Sequence, residues 1–521
     1  MEGLIHQPGV FDDPKGGVLR AELSGRLKLY ARFQNELMLF EGVLHTRQYC
    51  FTISSGIRAE PRFRFVSNLF HPKTIEASER HDGFGGTPGI KSLEDSWELR
   101  GHRSRIVEVN KEALGLFASL YDSPGTPAIE ARVPVVHSRE ILSVLGKLAK
   151  VERRLGDLGD EYYSTVCFDE TNHQKNGTIR RETRFPENAS EWIVSGPHLY
   201  VGTPFYKNPN EGCSTHLDYT VIDHTTIPDD YLPRTNYVPA CDPAEFVKRT
   251  PHWRGRPFTE WYRHANRRMV SLTGERTYVN CILPPEAAHI DLTYTITFSS
   301  YRDLVCFSGL GSSLIVDFYV KSTGKSDARG DLNSVLPLPN PSNLDPFIAA
   351  RTLRLNCLTT HYADLWQECW DPAFACDSFT KDDARLGSWN HLTQNWHRHC
   401  AVRTPFERRQ SLVELDALAA LALNLTAVEL CTIYRVQFPI LHRNERETFY
   451  DQRGIIVFTS NRGLSGVGLT RKQWEEVKTT QPGDELPDYA TDYVPPFTRC
   501  DREEDMTLAY EVFQERLKDK R

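Results

Sequence analysis

The residues from 192 to 237 form a stretch that is rich in aromatic residues, proline, glycine and asparagine, and it constrains the fold more than any other stretch. It begins with an apolar run, Trp192 to Val194, which predicts a short strand that ends at the Ser-Gly-Pro sequence following it. The closing segment, Asp229 to Tyr237, contains two carboxylates, an Arg, an Asn and two tyrosines, and prolines keep it out of helix. We therefore predict a long loop that presents side chains, and a well-packed connection is the alternative interpretation.

Length and composition indicate a globular protein with more than one domain. The 521 residues are too many for one hydrophobic core and suggest about two to four domains. The formal net charge of -7 means that any nucleic-acid site must be a local basic surface. The sequence shows no signal peptide and no membrane span, and its twelve scattered cysteines form no C-x-x-C pair. These features predict a cytoplasmic protein with reduced thiols and no membrane partner.

Hydrophobic periodicity predicts that the type of secondary structure changes along the chain. A helix from Val18 to Tyr30 and a strand from Tyr49 to Ile53 indicate α/β structure, and we expect the beginning of that α/β domain to lie outside the chain. Helical spacing follows between Val107 and Leu155, whereas the region from Tyr162 to Leu338 is mainly β. From Leu344 onwards the chain is predicted to be mostly helical.

Four shorter segments carry more specific predictions. Thr293 to Phe298 alternates between faces and is predicted to be a strand, while Leu314 to Val320 fits a short helix or a buried strand. Asn424-Leu425-Thr426 marks a break between two helices, and Asp505 to Lys520 is predicted to be a C-terminal helix.

Several motifs occur in an order that is found in one family. GLIHQPGVFDDPKGGVLRAEL and ARFQNELMLF lie near the start, and the later motifs span residues 67–72, 88–91, 101–103, 231–239 and 499–505. Together they resemble the part that follows the catalytic loop in large adenine-specific DNA methyltransferases of the type IIG restriction-modification and phage-defence kind. The resemblance covers nearly the whole chain.

This resemblance implies an α/β plus α+β fold with four segments. They are the terminal strands of a Rossmann-like methyltransferase catalytic domain (1–60), a helical linker or scaffold (61–160), a mixed α/β target-recognition domain (161–340) and a mainly helical C-terminal domain (341–521). The resemblance also implies that S-adenosylmethionine binds to a partner chain, which supplies the N-terminal half, and not to this chain. We expect that partner to cover an exposed apolar sheet edge between Leu4 and Ile53.

A complete amino-methyltransferase needs a glycine-rich cofactor loop and a D/N/S-P-P-Y/F/W catalytic loop. Phe307 to Gly311 has the F-x-G-x-G sequence pattern of the cofactor loop, but a strand-to-helix turn is the alternative interpretation. The sequence Val494 to Phe497 has Val in place of the required hydrogen-bond acceptor, and Asn340 to Asn343 lacks the second proline and the aromatic residue. We therefore predict no catalytic and no cofactor-binding residue in this chain.

Two other motifs are predicted to have no ligand. Gly83 to Gly89 lacks the Lys-Ser/Thr sequence of a phosphate-binding loop and is predicted to be a flexible surface loop. Cysteine and histidine residues could be imagined as zinc ligands, but their C-x6-C spacing differs from that of zinc sites, so we predict no metal. These residues are Cys369, Cys376, His391, His397, His399 and Cys400.

Basic residues interleaved with aromatic residues are the most informative functional signal. They form three clusters, at residues 175–184, 253–268 and 397–409. Arginine and lysine neutralise phosphates, and Arg and Asn can read base edges, whereas a solvated charged face is the alternative interpretation. Three such clusters in an acidic protein favour double-stranded DNA as a partner. The predicted DNA-binding residues are Lys175, Arg180, Arg181, Lys207, Arg234, Asn236, Arg254, Arg256, Arg263, Arg267 and Arg268.

These observations predict the DNA-recognition part of a site-specific adenine DNA methyltransferase in a restriction-modification or phage-defence system. Such a chain requires a separate catalytic methyltransferase chain. A non-enzymatic DNA-binding adaptor or an inactive remnant in a defence system is the alternative. A complete small methyltransferase would need Phe307 to Gly311 to bind the cofactor in this chain alone.

Overall fold

A computed structural model describes residues 1–45, 47–92, 96–123, 125–215, 217–271, 274–323, 325 and 327–519. The strands, in chain order, are β1 Glu2–His6, β2 Leu27–Gln34, β3 Gln48–Ser54, β4 Arg62–Leu69, β5 Val107–Asn110, β6 Tyr162–Thr165, β7 Ile179–Arg184, β8 Ile193–Val194, β9 Lys207–Pro209, β10 Tyr219–Val221, β11 Thr235–Pro239, β12 His252–Trp253, β13 Arg256–Pro257, β14 Arg263–Arg267, β15 Asn280–Leu283, β16 Ala288–His289, β17 Thr293–Phe298, β18 Phe449–Tyr450 and β19 Ile456–Phe458.

The α-helices are more frequent in the second half of the chain than in the first. They are α1 Gly9–Asp12, α2 Gly17–Ser24, α3 Lys73–Arg80, α4 Lys111–Tyr121, α5 Arg139–Ala149, α6 Glu170–Lys175, α7 Pro243–Arg249, α8 Tyr301–Gly311, α9 Leu314–Ser322, α10 Gly330–Asn333, α11 Asp345–Asn356, α12 Ala363–Glu368, α13 Pro405–Ala422, α14 Ala427–Gln437, α15 Pro439–Arg446, α16 Arg471–Val477 and α17 Arg502–Asp519.

The chain divides into two compact units. Unit 1 comprises Met1–Val151, Ser322–Gly324 and Leu423–Arg443, and unit 2 comprises Glu152–Lys321, Lys325–Ala422 and Asn444–Arg521. Several small sheets and many helices make the protein a mixed α/β chain, consistent with an α+β fold. The Rossmann-like character of the first segment and the division into four domains remain predictions.

Unit 1 is built on a five-stranded sheet with the order β1-β3-β2-β4-β5. Leu29, Ala31 and Phe33 alternate along β2 and are buried in one apolar cluster, which explains why this strand lies in the centre of the sheet. The predicted helix from Val18 to Tyr30 is therefore wrong in its second half. α2 ends at Ser24, and the two-residue periodicity that begins at Leu27 is the signal for β2.

β1 forms an edge of this sheet, since it pairs with β3 on one side and has no second neighbour among the described strands. Leu4 and Ile5 of β1 are 61% and 57% exposed. Ile5 also lines an open cavity of about 870 Å³ together with the exposed apolar residues Phe40, Val43 and Leu44. The predicted exposed apolar edge is present, and its coverage by a partner stays a prediction.

The other predicted helical segments of unit 1 are confirmed. α4 and α5 bury the apolar positions that repeat at helical spacing, and α14 begins after the predicted break. Asn424 has a φ of 57°, which ends the preceding helix, and Thr426 starts α14 with a capping box that involves Glu429. Glu429 also accepts a hydrogen bond of 2.7 Å from Lys147 of α5, so the two helices are linked by charge as well as by packing.

Unit 2 contains an antiparallel four-stranded sheet with the order β15-β14-β17-β6. The predicted strand from Thr293 to Phe298 is confirmed as β17, and all six of its residues are buried. Leu314 to Val320, for which the sequence left two alternatives, belongs to helix α9. The predicted C-terminal helix is α17, and Lys520 lies outside the described residues.

Phe307 to Gly311 is the second half of helix α8. Both the cofactor-loop and the turn interpretations of this motif are therefore wrong, because an α-helix with paired backbone amides cannot form a glycine-rich loop. Gly309 lies directly against α11, where a Cβ atom would overlap Thr352 Oγ1 and lie 2.9 Å from Ile348 Cγ2. Gly309 thus allows close packing of α8 against α11.

No single helix in the described ranges is long and apolar enough to span a membrane. The pair α8 and α9, bent by 73°, meets that test only when both helices are taken together.

The Gly309→Ala substitution is expected to destabilise the protein by about 1–3 kcal/mol, because overpacking against α11 outweighs the gain in helix propensity. Gly115→Ala on α4 is the matched control, since its Cβ would meet nothing closer than Ala128 Cβ at 3.8 Å. Urea denaturation midpoints measure both effects. Equal midpoints for the two variants would contradict the packing role of Gly309.

Candidate nucleic-acid interface

Strand β14 ends at Arg267. The guanidinium group of Arg267 lies at the centre of the candidate interface in unit 2. Arg267 Nε donates a hydrogen bond of 2.9 Å to the carbonyl oxygen of Gly196, and Nη2 donates one of 2.5 Å to that of Leu199. Both carbonyl groups belong to the turn after β8, the strand that the sequence predicts at the start of the stretch from 192 to 237. Arg267 therefore attaches this turn to the four-stranded sheet.

Two stacked tyrosines lie under the cations at this position. The rings of Tyr200 and Tyr206 are 4.6 Å apart and inclined by 24°. The guanidinium carbon of Arg267 lies 5.8 Å from the Tyr200 ring centroid, and Lys207 Nζ lies 5.1 Å from that of Tyr206. We call these four residues the cationic tyrosine surface. Burial raises the pKa of both phenols, so the rings stay neutral and attract the cations through their faces.

The cationic tyrosine surface carries positive charge that the described residues only partly compensate. Neither Lys207 nor Arg267 has a carboxylate ion-pair partner among those residues. Burial lowers the pKa of Lys207, and the neighbouring Arg267 lowers it further. Glu275, whose pKa is raised by burial, lies beside Tyr200 and accepts a hydrogen bond of 2.8 Å from Asn461. Two cations beside one carboxyl group leave a site that attracts anions.

Arg234 and Arg181 lie beside the hairpin of β9 and β10. The backbone N–H of Arg234 donates to Asn208 Oδ1 at 2.7 Å, and its guanidinium lies 4.7 Å from the Phe185 ring. Arg234 pairs with Glu211 at 3.2 Å. Arg181 Nη2 donates to the Cys213 carbonyl oxygen at 2.9 Å. The fold thus brings Lys207, Arg234 and Arg267 together near β9 and places Arg181 against the loop that leads to β10.

Most of the other predicted DNA-binding residues form ion pairs within unit 2. The pairs are Arg180 with Glu182 at 2.7 Å, Arg254 with Glu161 at 2.9 Å, Arg256 with Glu260 at 3.0 Å, and Arg268 with Asp291 and Asp327 at 3.6 Å each. Lys175 is exposed at the end of α6. Their contact with DNA stays a prediction, and the acidic partners weaken the field of each arginine.

Two of the predicted contact residues are buried, and the prediction is wrong for both. Arg263 is completely buried, and its Nη2 donates to the carbonyl oxygens of Pro284 at 2.9 Å and Ala287 at 2.5 Å. The buried amide of Asn236 donates to Tyr219 Oη at 2.7 Å. Side chains that are enclosed and engaged in this way cannot reach a nucleic acid.

The predicted presenting loop around Tyr237 also differs from the structure. Residues Thr235–Pro239 form β11, which pairs with β7, and four of its five residues are buried. The Asn236 and Tyr237 side chains instead lie in the interior of unit 2, as the alternative interpretation of a well-packed connection predicts, whereas Asp229 and Asp230 are exposed. Lys207, which lies earlier in the same stretch, is partly exposed.

The third basic cluster is largely internal. Arg403, Arg408 and Arg409 are buried, and Arg408 Nη2 donates to the Gly202 carbonyl oxygen at 3.0 Å. Arg409 bridges Glu445 and Asp505 at 2.7 Å each. These arginines stabilise the packing of α13, and the sequence alone could not separate them from exposed cations.

Three histidines of the imagined zinc site lie close together, with ring centroids 5.8–6.4 Å apart. They are His391, His397 and His399. No group of three or more potential ligands in the described part of the chain has the geometry of a metal site. Val494 to Phe497, the motif that resembles a catalytic loop, packs its Phe497 ring against Trp474 in an apolar cluster.

No family model matches this chain, and no curated protein matches it. Among solved structures, it is similar to the type IIL restriction-modification enzyme MmeI in complex with DNA, with a TM-score of 0.30, 10% sequence identity, and coverage of 84% of this chain and 49% of that one. It is also similar to the type IIG restriction endonuclease BpuSI, with a TM-score of 0.27, 10% identity, and coverage of 84% and 47%. The chain thus spans about half the length of each of these enzymes, and the similarity is weak.

The Arg263→Lys substitution is expected to cost about 2–4 kcal/mol of stability, because an ammonium group cannot replace the forked guanidinium between several carbonyl groups. Thermal melting measures this loss. Arg254→Lys, at a side chain that is 43% exposed, is the control and should change stability by less than about 0.5 kcal/mol. An unchanged melting temperature for Arg263→Lys together with weaker DNA binding would restore Arg263 to the interface.

Proposed function

We propose that this chain is the DNA-recognition part of a site-specific adenine DNA methyltransferase in a restriction-modification or phage-defence system. In this proposal a separate catalytic chain binds S-adenosylmethionine and transfers the methyl group. The sequence resemblance supplies the reaction class. The observation that supports DNA as the ligand is the cationic tyrosine surface.

The chemistry of this surface suits a DNA backbone. Lys207 and Arg267 attract phosphate oxygens, and the partial burial of Lys207 strengthens each such contact because the local dielectric is low. Arg267 is oriented by its two bonds to carbonyl groups, so it loses little conformational freedom on binding. Arg234, whose partner Glu211 is strongly exposed, can exchange that pair for a phosphate or a base edge.

The exposed edge strand β1 supports the proposal of a catalytic partner chain. Unpaired backbone groups on the outer side of β1 can accept a further strand, and the exposed Leu4 and Ile5 side chains add apolar area. The cavity beside Ile5 extends this apolar area towards Phe40 and Leu44. A strand from the partner would bury all these groups at once.

The Lys207→Gln substitution should weaken binding of the chain to duplex DNA by a similar factor for every sequence. Removal of one phosphate contact is expected to reduce the slope of log K against log salt concentration by about 0.9. Fluorescence anisotropy at several salt concentrations measures both quantities. The control is Lys248→Gln, because Lys248 is 80% exposed in the same unit and lies 4.0 Å from a carboxylate.

Identical salt slopes for Lys207→Gln and the unmodified chain would exclude the cationic tyrosine surface as the phosphate site. Absence of any duplex binding by the unmodified chain would overturn the proposed function itself.

The Ile5→Lys substitution should prevent assembly with the catalytic chain, because a charge on β1 opposes strand addition. The partner to test is the product of a neighbouring reading frame that carries both methyltransferase loops. Size-exclusion chromatography measures assembly, and calorimetric titration should show S-adenosylmethionine binding to the complex and not to this chain alone. Val428→Lys, at another exposed apolar residue of unit 1, is the control.

Cofactor binding by this chain alone would contradict the division of labour between two chains. Duplex binding without any partner that assembles on β1 would favour the alternative of a non-enzymatic DNA-binding adaptor.

A further inference from the structure

Arg234 lies directly before strand β11, and both of its backbone hydrogen-bonding groups have partners within unit 2. Its N–H donates to Asn208 Oδ1 at 2.7 Å, and its carbonyl oxygen accepts a hydrogen bond of 2.8 Å from His198 Nε2. The His198 side chain is completely buried. The backbone from which the Arg234 side chain leaves is therefore fixed to the packed part of unit 2.

The guanidinium group of Arg234 lies against an aromatic ring. Its central carbon is 4.7 Å from the ring centroid of Phe185, and Phe185 is 47% exposed. Phe185 follows β7, whose last residue, Arg184, pairs with Thr235 at the start of β11. The ring is thus held beside Arg234 by the pairing of two strands. It restricts the guanidinium on one side, so a ligand must approach from another.

The donors of this guanidinium are only partly used. Nη2 donates to Glu211 Oε1 at 3.2 Å, and Nη1 makes a long contact of 3.5 Å with the Pro209 carbonyl oxygen. Nε makes no hydrogen bond to any residue that the structure describes. The Glu211 side chain is 87% exposed and that of Arg234 is 23% exposed. A pair this exposed to water contributes little to stability, so other acceptors can replace the carboxylate.

A guanine edge fits the donors that become free. In the major groove guanine presents O6 and N7 side by side, and a forked guanidinium binds both at once. A phosphate group is less suitable here, because the Glu211 carboxylate next to the site repels anions, whereas a base edge is neutral. Lys207 and Arg267 have no carboxylate ion-pair partner among the described residues, so the same argument favours phosphate at those two cations.

The hairpin that carries Glu211 has a shape that a major groove accepts. β9 and β10 form an antiparallel pair of strands, and a two-stranded ribbon is one of the elements that fit this groove. Residues Glu211, Ser214 and Thr215 between the strands are exposed. Asp218 Oδ2 accepts hydrogen bonds from the N–H groups of Ser214 at 3.1 Å and Thr215 at 2.8 Å, which gives the connection a defined conformation.

We infer that Arg234 is a specificity-determining residue that reads a guanine in the major groove, and that Glu211 occupies its guanidinium until the base replaces it. This inference rests on the proposed function, because it takes duplex DNA as the ligand. It assigns sequence readout to Arg234 and leaves phosphate binding to the cationic tyrosine surface.

The test is selection of duplexes from a random-sequence pool by the full chain, followed by sequencing of the bound fraction. The unmodified chain should enrich a motif that contains at least one fixed G·C pair. Arg234→Lys keeps the charge but loses the fork, so the preference at one such pair should fall about tenfold. The rest of the motif and the dependence of affinity on salt concentration should stay unchanged.

Two further variants test the neighbours of Arg234. Phe185→Ala should weaken the preference at the same base pair, because the guanidinium loses its support. Glu211→Gln should raise the affinity for every duplex about two- to fivefold and leave the motif unchanged, because the competing carboxylate is gone. Arg249→Lys is the matched control, since Arg249 is 33% exposed in the same unit and pairs with Glu245 at 2.8 Å. It should change neither motif nor affinity.

The contrary results are distinguishable. An unchanged motif for Arg234→Lys would overturn the inference, and so would an equal loss of affinity for all sequences, which would indicate a phosphate contact. Unchanged affinity for Glu211→Gln would contradict the competition between Glu211 and DNA. Duplex binding by the unmodified chain without enrichment of any sequence would overturn sequence readout and leave the phosphate site intact. If the unmodified chain binds no duplex, the proposed function fails as well.

Discussion

Irregular backbone in unit 2 leaves carbonyl groups that no sheet or helix can satisfy, and arginines supply the missing donors. Arg267 donates to Gly196 and Leu199, and Arg263 donates to Pro284 and Ala287. A buried carbonyl group without a donor costs about as much free energy as a lost hydrogen bond. The short strands and long connections of this unit therefore depend on hydrogen bonds from guanidinium groups. The positions of these arginines determine which cations remain at the surface.

The candidate interface follows directly from this constraint. Arg267 lies at the end of β14, so its guanidinium reaches carbonyl groups on one side while its charge still acts on the stacked Tyr200 and Tyr206 rings. Lys207 lies over the same pair of rings and forms no ion pair with a described carboxylate. The candidate interface has a rigid support, because a packed sheet lies beneath it and its tyrosines are held by hydrogen bonds, such as that from Tyr206 to Gly463.

Local patterns predicted several elements correctly. The alternation of Thr293 to Phe298 predicted the strand β17, and Asn424-Leu425-Thr426 predicted the break before α14. Both predictions agree with the structure. The prediction of a helix from Val18 to Tyr30 is wrong after Ser24. The residues from Leu27 onwards include good helix formers, but their alternating apolar side chains pack in the sheet of unit 1, so they form a strand. The two interpretations of the glycine motif that ends at Gly311 are wrong for another reason. Its spelling fits a cofactor loop, but the contact with Thr352 on α11 that requires a glycine comes from a distant part of the chain.

The sequence by itself determined the supply of cations and aromatic rings and the approximate places of most helices and strands. Tertiary structure alone decided which basic residues face solvent. Arg263 finds its carbonyl partners 21 and 24 residues away, and Arg408 finds one 206 residues away. Burial and pairing depend on such long-range contacts, whereas composition and spacing report only on neighbours along the chain. For that reason two arginines of one cluster, Arg263 and Arg267, can differ in the structure, one as a wholly internal support and the other as part of the candidate interface.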